Sequence, residues 1–141
     1  MNSYTIHSIG VIRSELTSLE EAPRQGGEGA PEAWLEVTAP AADGLLGIKA
    51  GDRLIILTWL HRAQRDVLQV HPRGMVERPL RGVFATRSQD RPNPIGLHEV
   101  TVLEVRKQSL RIAPMEAIDG TPVVDIKPVM GRSSADRGGE G

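Results

Sequence analysis

Short apolar runs recur along the chain roughly every eight to fifteen residues, and turn-forming residues lie between them. No stretch keeps its apolar positions at the helical period of about 3.6 residues, so the pattern predicts strands. Many short strands separated by turns are typical of an antiparallel barrel or sandwich. Strands are predicted at 5–13, 34–37, 53–61, 68–71, 83–86, 97–106, 109–113 and 123–127, with one helical turn at 45–50.

Two of these segments have finer features. The apolar residues of 53–61 are continuous enough to predict burial on both faces of that strand. In 97–106 the alternation changes phase after Val102, which predicts a bulge or two-sided burial. The pair 107–108 is predicted to turn the chain so that 109–113 lies beside 97–106.

The length and the order of elements indicate one all-β domain. A chain of 141 residues suits a single domain with one core. The sequence has neither the glycine fingerprint nor the strand–helix alternation of a doubly wound nucleotide-binding sheet. We therefore predict a single-domain antiparallel β-barrel over residues 1–130, with a long polar loop at 14–32 and a disordered tail at 131–141.

The composition narrows the possible chemistry. The chain has no cysteine, which excludes disulfides, zinc–thiolate sites and thiol nucleophiles. Its four histidines lack metal-ligand spacing, so no metal site is predicted. The sequence also has no apolar run of about 18 residues and no signal peptide. We therefore predict a cytoplasmic protein that does not bind a membrane.

The net charge of −1 conceals an asymmetry along the chain. Residues 14–52 carry eight acidic residues against two basic ones, whereas residues 62–91 carry seven arginines against three acidic residues. Clustered arginines suit a phosphate-binding face, because each neutralised phosphate releases counterions. The alternative is a solvated face whose arginines pair with the acidic residues of 14–52.

The segment 82–96 combines polar chemistry with little conformational freedom. Pro92 and Pro94 fix their own φ angles and disfavour the helical region for the residue before each. Gly96 would allow a positive φ or a close approach of the backbone to a ligand. A rigid surface connector is the alternative interpretation. If the strand at 83–86 continues, one face carries four polar side chains: Arg87, Gln89, Arg91 and Asn93.

Two further places carry candidate chemistry. Asp119 and Gly120 stand between apolar runs, which predicts a hairpin turn that presents the Asp119 carboxylate and the Thr121 hydroxyl at the rim of the barrel. His61 is predicted to end a buried strand, where a structural role at the edge of the core is as plausible as a functional one.

Five segments together resemble the TsaA-like, or TrmO, family of S-adenosylmethionine-dependent tRNA methyltransferases. The resemblance spans roughly residues 7 to 128, and its two long motifs are far more specific than a lone glycine pattern. The segments are 9–14 (IGVIRS), 23–25 (PRQ), 82–88 (GVFATRS), 91–97 (RPNPIGL) and 119–128 (DGTPVVDIKP).

The resemblance implies a β-barrel that binds S-adenosyl-L-methionine as its methyl donor. Arg24 is implied to grip the carboxylate of the donor or a substrate phosphate, and Gln25 to meet the adenine edge or the ribose. Leu97 is implied as an apolar wall for the adenine, and Asp119 as a complement to the sulfonium or the amino group. The implied donor-binding residues are Pro23, Arg24, Gln25, His61, Arg62, Arg87, Leu97, Asp119, Gly120, Thr121 and Pro122.

The resemblance also implies the acceptor, which is N6 of threonylcarbamoyladenosine at position 37 in a tRNA anticodon loop. Asp119, His61 or water would receive the proton of that nitrogen, and Arg91 and Asn93 would contact the substrate. The resemblance further implies a homodimer whose sites lie near the junction between the two subunits. The resemblance covers this sequence to about residue 128, whereas the bacterial tRNA enzymes continue into a further C-terminal domain. Two alternatives therefore remain: a methyltransferase for another small molecule or protein, and a non-enzymatic donor- or RNA-binding module.

Overall fold

The long alternating runs of the sequence form the inside and outside of a closed sheet in the computed structural model, which describes residues 2–15 and 31–131. Six strands close the barrel in the order β1-β2-β7-β6-β3-β8, and each neighbouring pair is antiparallel. This confirms the predicted antiparallel barrel. The strands are β1 Gly10–Arg13, β2 Ala33–Val37, β3 Arg53–Trp59, β4 Gln69–Val70, β5 Arg81–Gly82, β6 Ile95–Arg106, β7 Ser109–Ala113 and β8 Pro122–Pro128.

Three short 3-10 helices and a two-stranded sheet complete the described part of the chain. The helices are Ala39–Leu45, Pro72–Gly74 and Val83–Ala85. Strands β4 and β5 pair with each other outside the barrel. No helix of the described residues is long and apolar enough to cross a bilayer.

The core is built from aliphatic side chains because alternate residues of each strand point into the barrel. Along β6, for example, Val100 and Val102 are almost completely buried. Three polar or charged residues are buried among the described residues, namely Thr58, His98 and Thr121. The largest fully buried apolar side chains are Ile12, Leu35, Ile56, Leu110, Ile112, Met115, Val83, Val100, Val102 and Val123.

Two local predictions are confirmed in detail. The pairing of β6 with β7 changes register between Val102 and Glu104, which is where the phase of the sequence pattern changes. Lys107 has a φ of 46° in the turn that joins these two strands. Local sequence therefore determined both the bulge and the turn.

The larger differences from the predicted elements concern the first strand, the helical turn, strand β3 and the segment 83–86. The first strand begins at Gly10 and not at residue 5. The helical turn predicted at 45–50 lies at Ala39–Leu45, where a proline in the first turn favours its start. Strand β3 ends at Trp59 and alternates between buried and half-buried residues, so it is not fully buried on both faces. The strand predicted at 83–86 is a 3-10 helix, and the pairing with β4 is made by β5.

Candidate functional site

The register of the barrel brings most of the predicted site residues to one rim. Thr58 near the end of β3 lies opposite Gly96 at the start of β6 on one side and opposite Val123 at the start of β8 on the other. Neighbouring strands lie about 5 Å apart, so these three strand ends are close together. The segment 86–94, here called the proline loop, and the turn 118–121 lead into this same rim.

The proline loop is braced from within by Arg91. Its Nε donates to the carbonyl of Ser88 at 2.8 Å, and its Nη2 donates to the carbonyls of Val83 at 2.7 Å and Thr86 at 2.6 Å. Because Val83 starts a 3-10 helix, the strand that the predicted polar stripe depended on does not form. Arg91 thus holds the loop together, and its contact with a substrate stays a prediction.

A second arginine, which the sequence analysis missed, braces the loop from outside. Arg65 Nε donates to the carbonyl of Pro92 at 2.7 Å, and its Nη2 donates to Oδ1 of Asn93 at 3.0 Å. Its guanidinium lies 5.0 Å from the ring centroid of Trp59, a cation–π contact. No motif signals this contact, because Arg65 and Asn93 are 28 residues apart.

Arg87 and Leu97 meet at the rim, as expected for two residues of one site. Arg87 Nη2 donates to the carbonyl of Leu97 at 3.3 Å. Leu97 is 45% exposed, because alternate residues of β6 point away from the core. A guanidinium beside an exposed apolar side chain can bind a carboxylate and the face of an aromatic base together.

The turn 118–121 is a β-turn in which the N–H of Thr121 donates to the carbonyl of Ile118 and Gly120 has a φ of 86°. It is not a hairpin, because β8 pairs with β1 and β3 and not with β7. Asp119 is half-buried, and its Oδ1 accepts from the N–H of Ser14 at 3.0 Å. Pro122 follows the turn as the first residue of β8.

The expectation that Thr121 presents its hydroxyl at the rim is wrong. Thr121 is 1% exposed, and its hydroxyl donates to the carbonyl of Ile118 at 2.7 Å. The hydroxyl therefore closes the turn and does not face outwards. Any contact between Thr121 and a donor stays a prediction.

His61 and Arg62 are exposed and follow the end of β3. The prediction that His61 ends a buried strand is wrong, since β3 ends two residues earlier. Trp59 pairs with Ile95, so this segment leaves the barrel at the same rim. The predicted residues Pro23, Arg24 and Gln25 lie outside the described residues.

A hydrogen-bonded group that the sequence analysis also missed lies beneath this rim, with two buried members, Thr58 and His98, and one half-buried member, Glu116. The Oγ1 of Thr58 is 2.7 Å from Nε2 of His98, and Nδ1 of His98 is 2.6 Å from Oε1 of Glu116. We call these three residues the Thr58–His98–Glu116 chain. The partners are 40 and 18 residues apart in sequence, so local patterns could not reveal them.

The Thr58–His98–Glu116 chain leaves no room for a side chain at position 96, which is therefore a glycine. A Cβ on Gly96 would lie 2.4 Å from Oγ1 of Thr58 and 2.8 Å from Nε2 of His98. Gly96 is part of β6 and is not among the glycines with positive φ. Of the two predicted roles of Gly96, the positive φ is therefore wrong, and the close approach to a ligand stays a prediction. The missing side chain of Gly96 leaves room for buried protein groups.

Glu116 is ionised at neutral pH. Burial raises the pKa of its carboxyl, but the hydrogen bond from His98 and the electrostatic interactions with His98 and Arg87 lower the pKa by more. The net pKa therefore lies below the ordinary value of 4.5. The carboxylate accepts only, so the proton of the His98–Glu116 hydrogen bond belongs to Nδ1 of His98.

We expect Glu116→Gln to lower the free energy of unfolding at pH 7 by about 1 kcal/mol, since it replaces a hydrogen bond to a charged carboxylate by one to a neutral amide oxygen. A lowered folded-state pKa gives stability that is present above the unfolded-state pKa and lost as the pH falls through the folded-state pKa. The stability difference between wild type and variant should therefore shrink below about pH 4.5. Thermal unfolding from pH 7 to pH 3 measures it, and a constant difference would contradict the assignment.

Three described acidic residues of 14–52 form ion pairs with basic residues outside the arginine-rich segment 62–91. The described pairs are Glu32 with Arg111, Glu36 with Arg13, and Asp52 with Lys49.

Comparison with known proteins identifies the family. The family model for the tRNA-methyltransferase O N-terminal domain matches residues 11–135. A probable S-adenosyl-L-methionine-binding protein of Methanothermobacter thermautotrophicus is 42% identical over 123 residues, covering 87% of this chain and 88% of the relative. An S-adenosyl-L-methionine-binding protein of Archaeoglobus fulgidus is 44% identical over 119 residues, covering 84% of each chain.

Enzymes and solved structures are also similar to this chain. The tRNA (adenine(37)-N6)-methyltransferase of Escherichia coli is 39% identical over 139 residues, covering 92% of this chain and 59% of the enzyme. A crystal structure of TrmO from Pseudomonas aeruginosa superimposes with a TM-score of 0.73 at 30% identity, covering 96% of this chain and 60% of that one. The chain thus spans about three fifths of the enzymes and solved structures that it matches. It belongs to the family of the tRNA-methyltransferase O N-terminal domain.

Proposed function

We propose that the protein is an S-adenosyl-L-methionine-dependent methyltransferase that methylates N6 of threonylcarbamoyladenosine at position 37 of tRNA. The observation that carries the proposal is the match of residues 11–135 to the tRNA-methyltransferase O family. The similarity to an enzyme named tRNA (adenine(37)-N6)-methyltransferase supports the position and the atom. The similarity to proteins named for S-adenosyl-L-methionine binding supports the donor.

The proposed donor site consists of Arg87, Leu97 and the turn 118–121. The guanidinium of Arg87 is suited to the carboxylate of the donor, and Leu97 offers an exposed apolar surface for the adenine. Asp119 places a carboxylate at the same rim, where it can balance the sulfonium. Pro23, Arg24, Gln25, His61 and Arg62 complete the proposed set of donor contacts.

Methyl transfer requires the acceptor nitrogen to attack the methyl carbon in line with the carbon–sulfur bond. The bond between nitrogen and carbon forms as the carbon–sulfur bond breaks, the electron pair stays on sulfur, and S-adenosylhomocysteine leaves. The proton of the nitrogen passes to Asp119, His61 or water. Orientation of the reactants can lower such a barrier by roughly 7 to 11 kcal/mol, so a rigid rim matters more than an acid–base pair.

The tRNA anticodon loop suits the basic segment 62–91 as a partner. An unpaired base of the loop can be splayed out into a pocket at a modest cost. Exposed arginines of this segment, such as Arg78 and Arg81, can neutralise its phosphates, and Asn93 is exposed on the proline loop. The N–H of the ureido-like group is more acidic than an ordinary exocyclic amine, which eases loss of the proton.

We further propose that the protein acts as a homodimer with its sites near the subunit junction. Large apolar side chains are exposed on the segment that leads into the rim, and a second copy could cover them. A monomeric mass in analytical ultracentrifugation would exclude this arrangement. The side chains are Leu68, Val76, Leu80 and Phe84, with Ile95 at the start of β6.

The activity is tested with purified protein, S-adenosylmethionine labelled on its methyl group, and total tRNA. After digestion to nucleosides, the label is expected in methylated threonylcarbamoyladenosine and in no other nucleoside. Total tRNA that lacks the threonylcarbamoyl group is the matched control, and it should remain unlabelled. Equal labelling of both tRNA samples would contradict the proposed acceptor.

A second candidate function is donor binding without tRNA methylation. It is favoured by two relatives, matched over 88% and 84% of their own length, that are named for S-adenosyl-L-methionine binding. Calorimetry with S-adenosylmethionine, combined with the labelling experiment, separates the two. Binding without label in RNA, small molecules or protein favours the non-enzymatic module, and label in a small molecule or protein identifies another acceptor.

A further inference from the structure

The Thr58–His98–Glu116 chain joins three separate parts of the fold beneath the proposed donor site. Thr58 lies on β3, His98 on β6, and Glu116 between β7 and β8. His98 uses both ring nitrogens, at 2.7 Å from Thr58 and 2.6 Å from Glu116. Its side chain is only 5% exposed, so the imidazole is held in one orientation.

Stability alone does not account for this chain of polar groups. Burial of polar and charged groups costs free energy that their hydrogen bonds only offset, and well-packed apolar residues are often at least as stabilising. The remaining buried residues of the described core are apolar, apart from Thr121, which bonds within its own turn. The place of the polar chain in the fold therefore needs an explanation.

The Thr58–His98–Glu116 chain is connected to both halves of the proposed donor site, namely Arg87 with Leu97 and the turn 118–121. Arg87 donates to the carbonyl of Leu97, which is the residue before His98. The charge of Arg87 also acts on Glu116, since it contributes to the lowered pKa of that carboxyl. Glu116 in turn lies two residues before the turn 118–121.

We propose that His98 and Glu116 are positioning residues of the methyl-donor site, and that the Thr58–His98–Glu116 chain holds Arg87 and the turn 118–121 in register. This inference rests on the proposed function. His98 acts through the neighbouring carbonyl of Leu97, to which Arg87 donates, and Glu116 acts on Arg87 through its charge. Neither His98 nor Glu116 has to touch the reacting atoms.

A double-mutant cycle in the complete 141-residue protein tests the inference. The affinity for S-adenosylmethionine is measured by calorimetry. Glu116→Gln keeps the shape of the side chain and removes its charge. It is expected to weaken donor binding about fivefold in the wild-type background, but less than about twofold when Arg87 is already alanine, because coupled residues are not additive.

Two results of the cycle would overturn the inference. If Glu116→Gln leaves the affinity unchanged, or weakens it equally in both backgrounds, Glu116 does not act through Arg87. If Arg87→Ala alone leaves the affinity unchanged, the donor site itself is misplaced and the inference fails with it. The first result leaves the proposed function intact, whereas the second does not leave the proposed site intact.

A second pair of variants tests the Thr58–His98–Glu116 chain at Thr58, without changing Glu116. Thr58→Val keeps the volume but leaves Nε2 of His98 without its partner, and it is expected to weaken donor binding about threefold, since neighbouring residues in one hydrogen-bond network are coupled. Thr58→Ser retains a hydroxyl and should restore the affinity. If Thr58→Val lowers the thermal midpoint but leaves the affinity at the wild-type value, the chain is only structural and the inference is wrong.

Discussion

Gly96→Ala is expected to destabilise the protein by about 3 kcal/mol, through overpacking and the loss of a buried hydrogen bond. The new Cβ would lie 2.4 Å from Oγ1 of Thr58 and 2.8 Å from Nε2 of His98. These atoms are buried and bonded to each other, so neither can move away freely. For a domain of this size the thermal midpoint should fall by roughly 10 °C, as measured by calorimetry or circular dichroism.

Gly44→Ala is the matched control for this substitution. A Cβ on Gly44 would have no neighbour within 4 Å, and its φ is not positive. Its effect should stay within about 0.5 kcal/mol, as for an ordinary surface position. Equal midpoints for the two variants would show that the space around Gly96 is not as tight as described.

Arg87→Ala is expected to weaken the binding of S-adenosylmethionine by about 10- to 100-fold, the range for a lost hydrogen bond to a charged group. The physical reason is that a guanidinium can bind the carboxylate of the donor through two parallel hydrogen bonds. Isothermal titration calorimetry measures the loss. The fold itself should persist, because Arg87 is exposed and makes one long hydrogen bond to the carbonyl of Leu97.

Two further variants define the meaning of that result. Arg87→Lys keeps the charge without the planar fork, so it should recover only part of the affinity. Arg53→Ala is the control, because Arg53 begins β3 at the opposite end of the barrel and pairs with Glu99 on the surface. Unchanged affinity in Arg87→Ala, or an equal loss in Arg53→Ala, would place the donor elsewhere.

The candidate site illustrates which roles can be inferred from residue type. The motif resemblance singled out Arg87, Leu97 and Asp119, and the register of the barrel places all three at one rim. Arg91 belongs to the same motif, yet its guanidinium donates two hydrogen bonds to its own loop and one to the short helix before it. A motif marks a residue as important, but it does not separate a residue that binds a ligand from one that shapes the loop.

The sequence by itself determined the features that depend on neighbouring residues. The alternation of apolar positions located most strands, and its change of phase located the bulge after Val102. The Asp119-Gly120 pair marked a turn, because glycine adopts a positive φ without steric cost.

Only the tertiary structure decided which strands are neighbours and what lies beneath the rim. The turn at Asp119 looked like a hairpin, but closure of the barrel pairs β8 with β1 and β3. Barrel closure also brings Thr58, His98 and Glu116 together across 40 and 18 residues of sequence. Such contacts depend on the packing of the whole sheet, and local preferences of the chain carry no information about them.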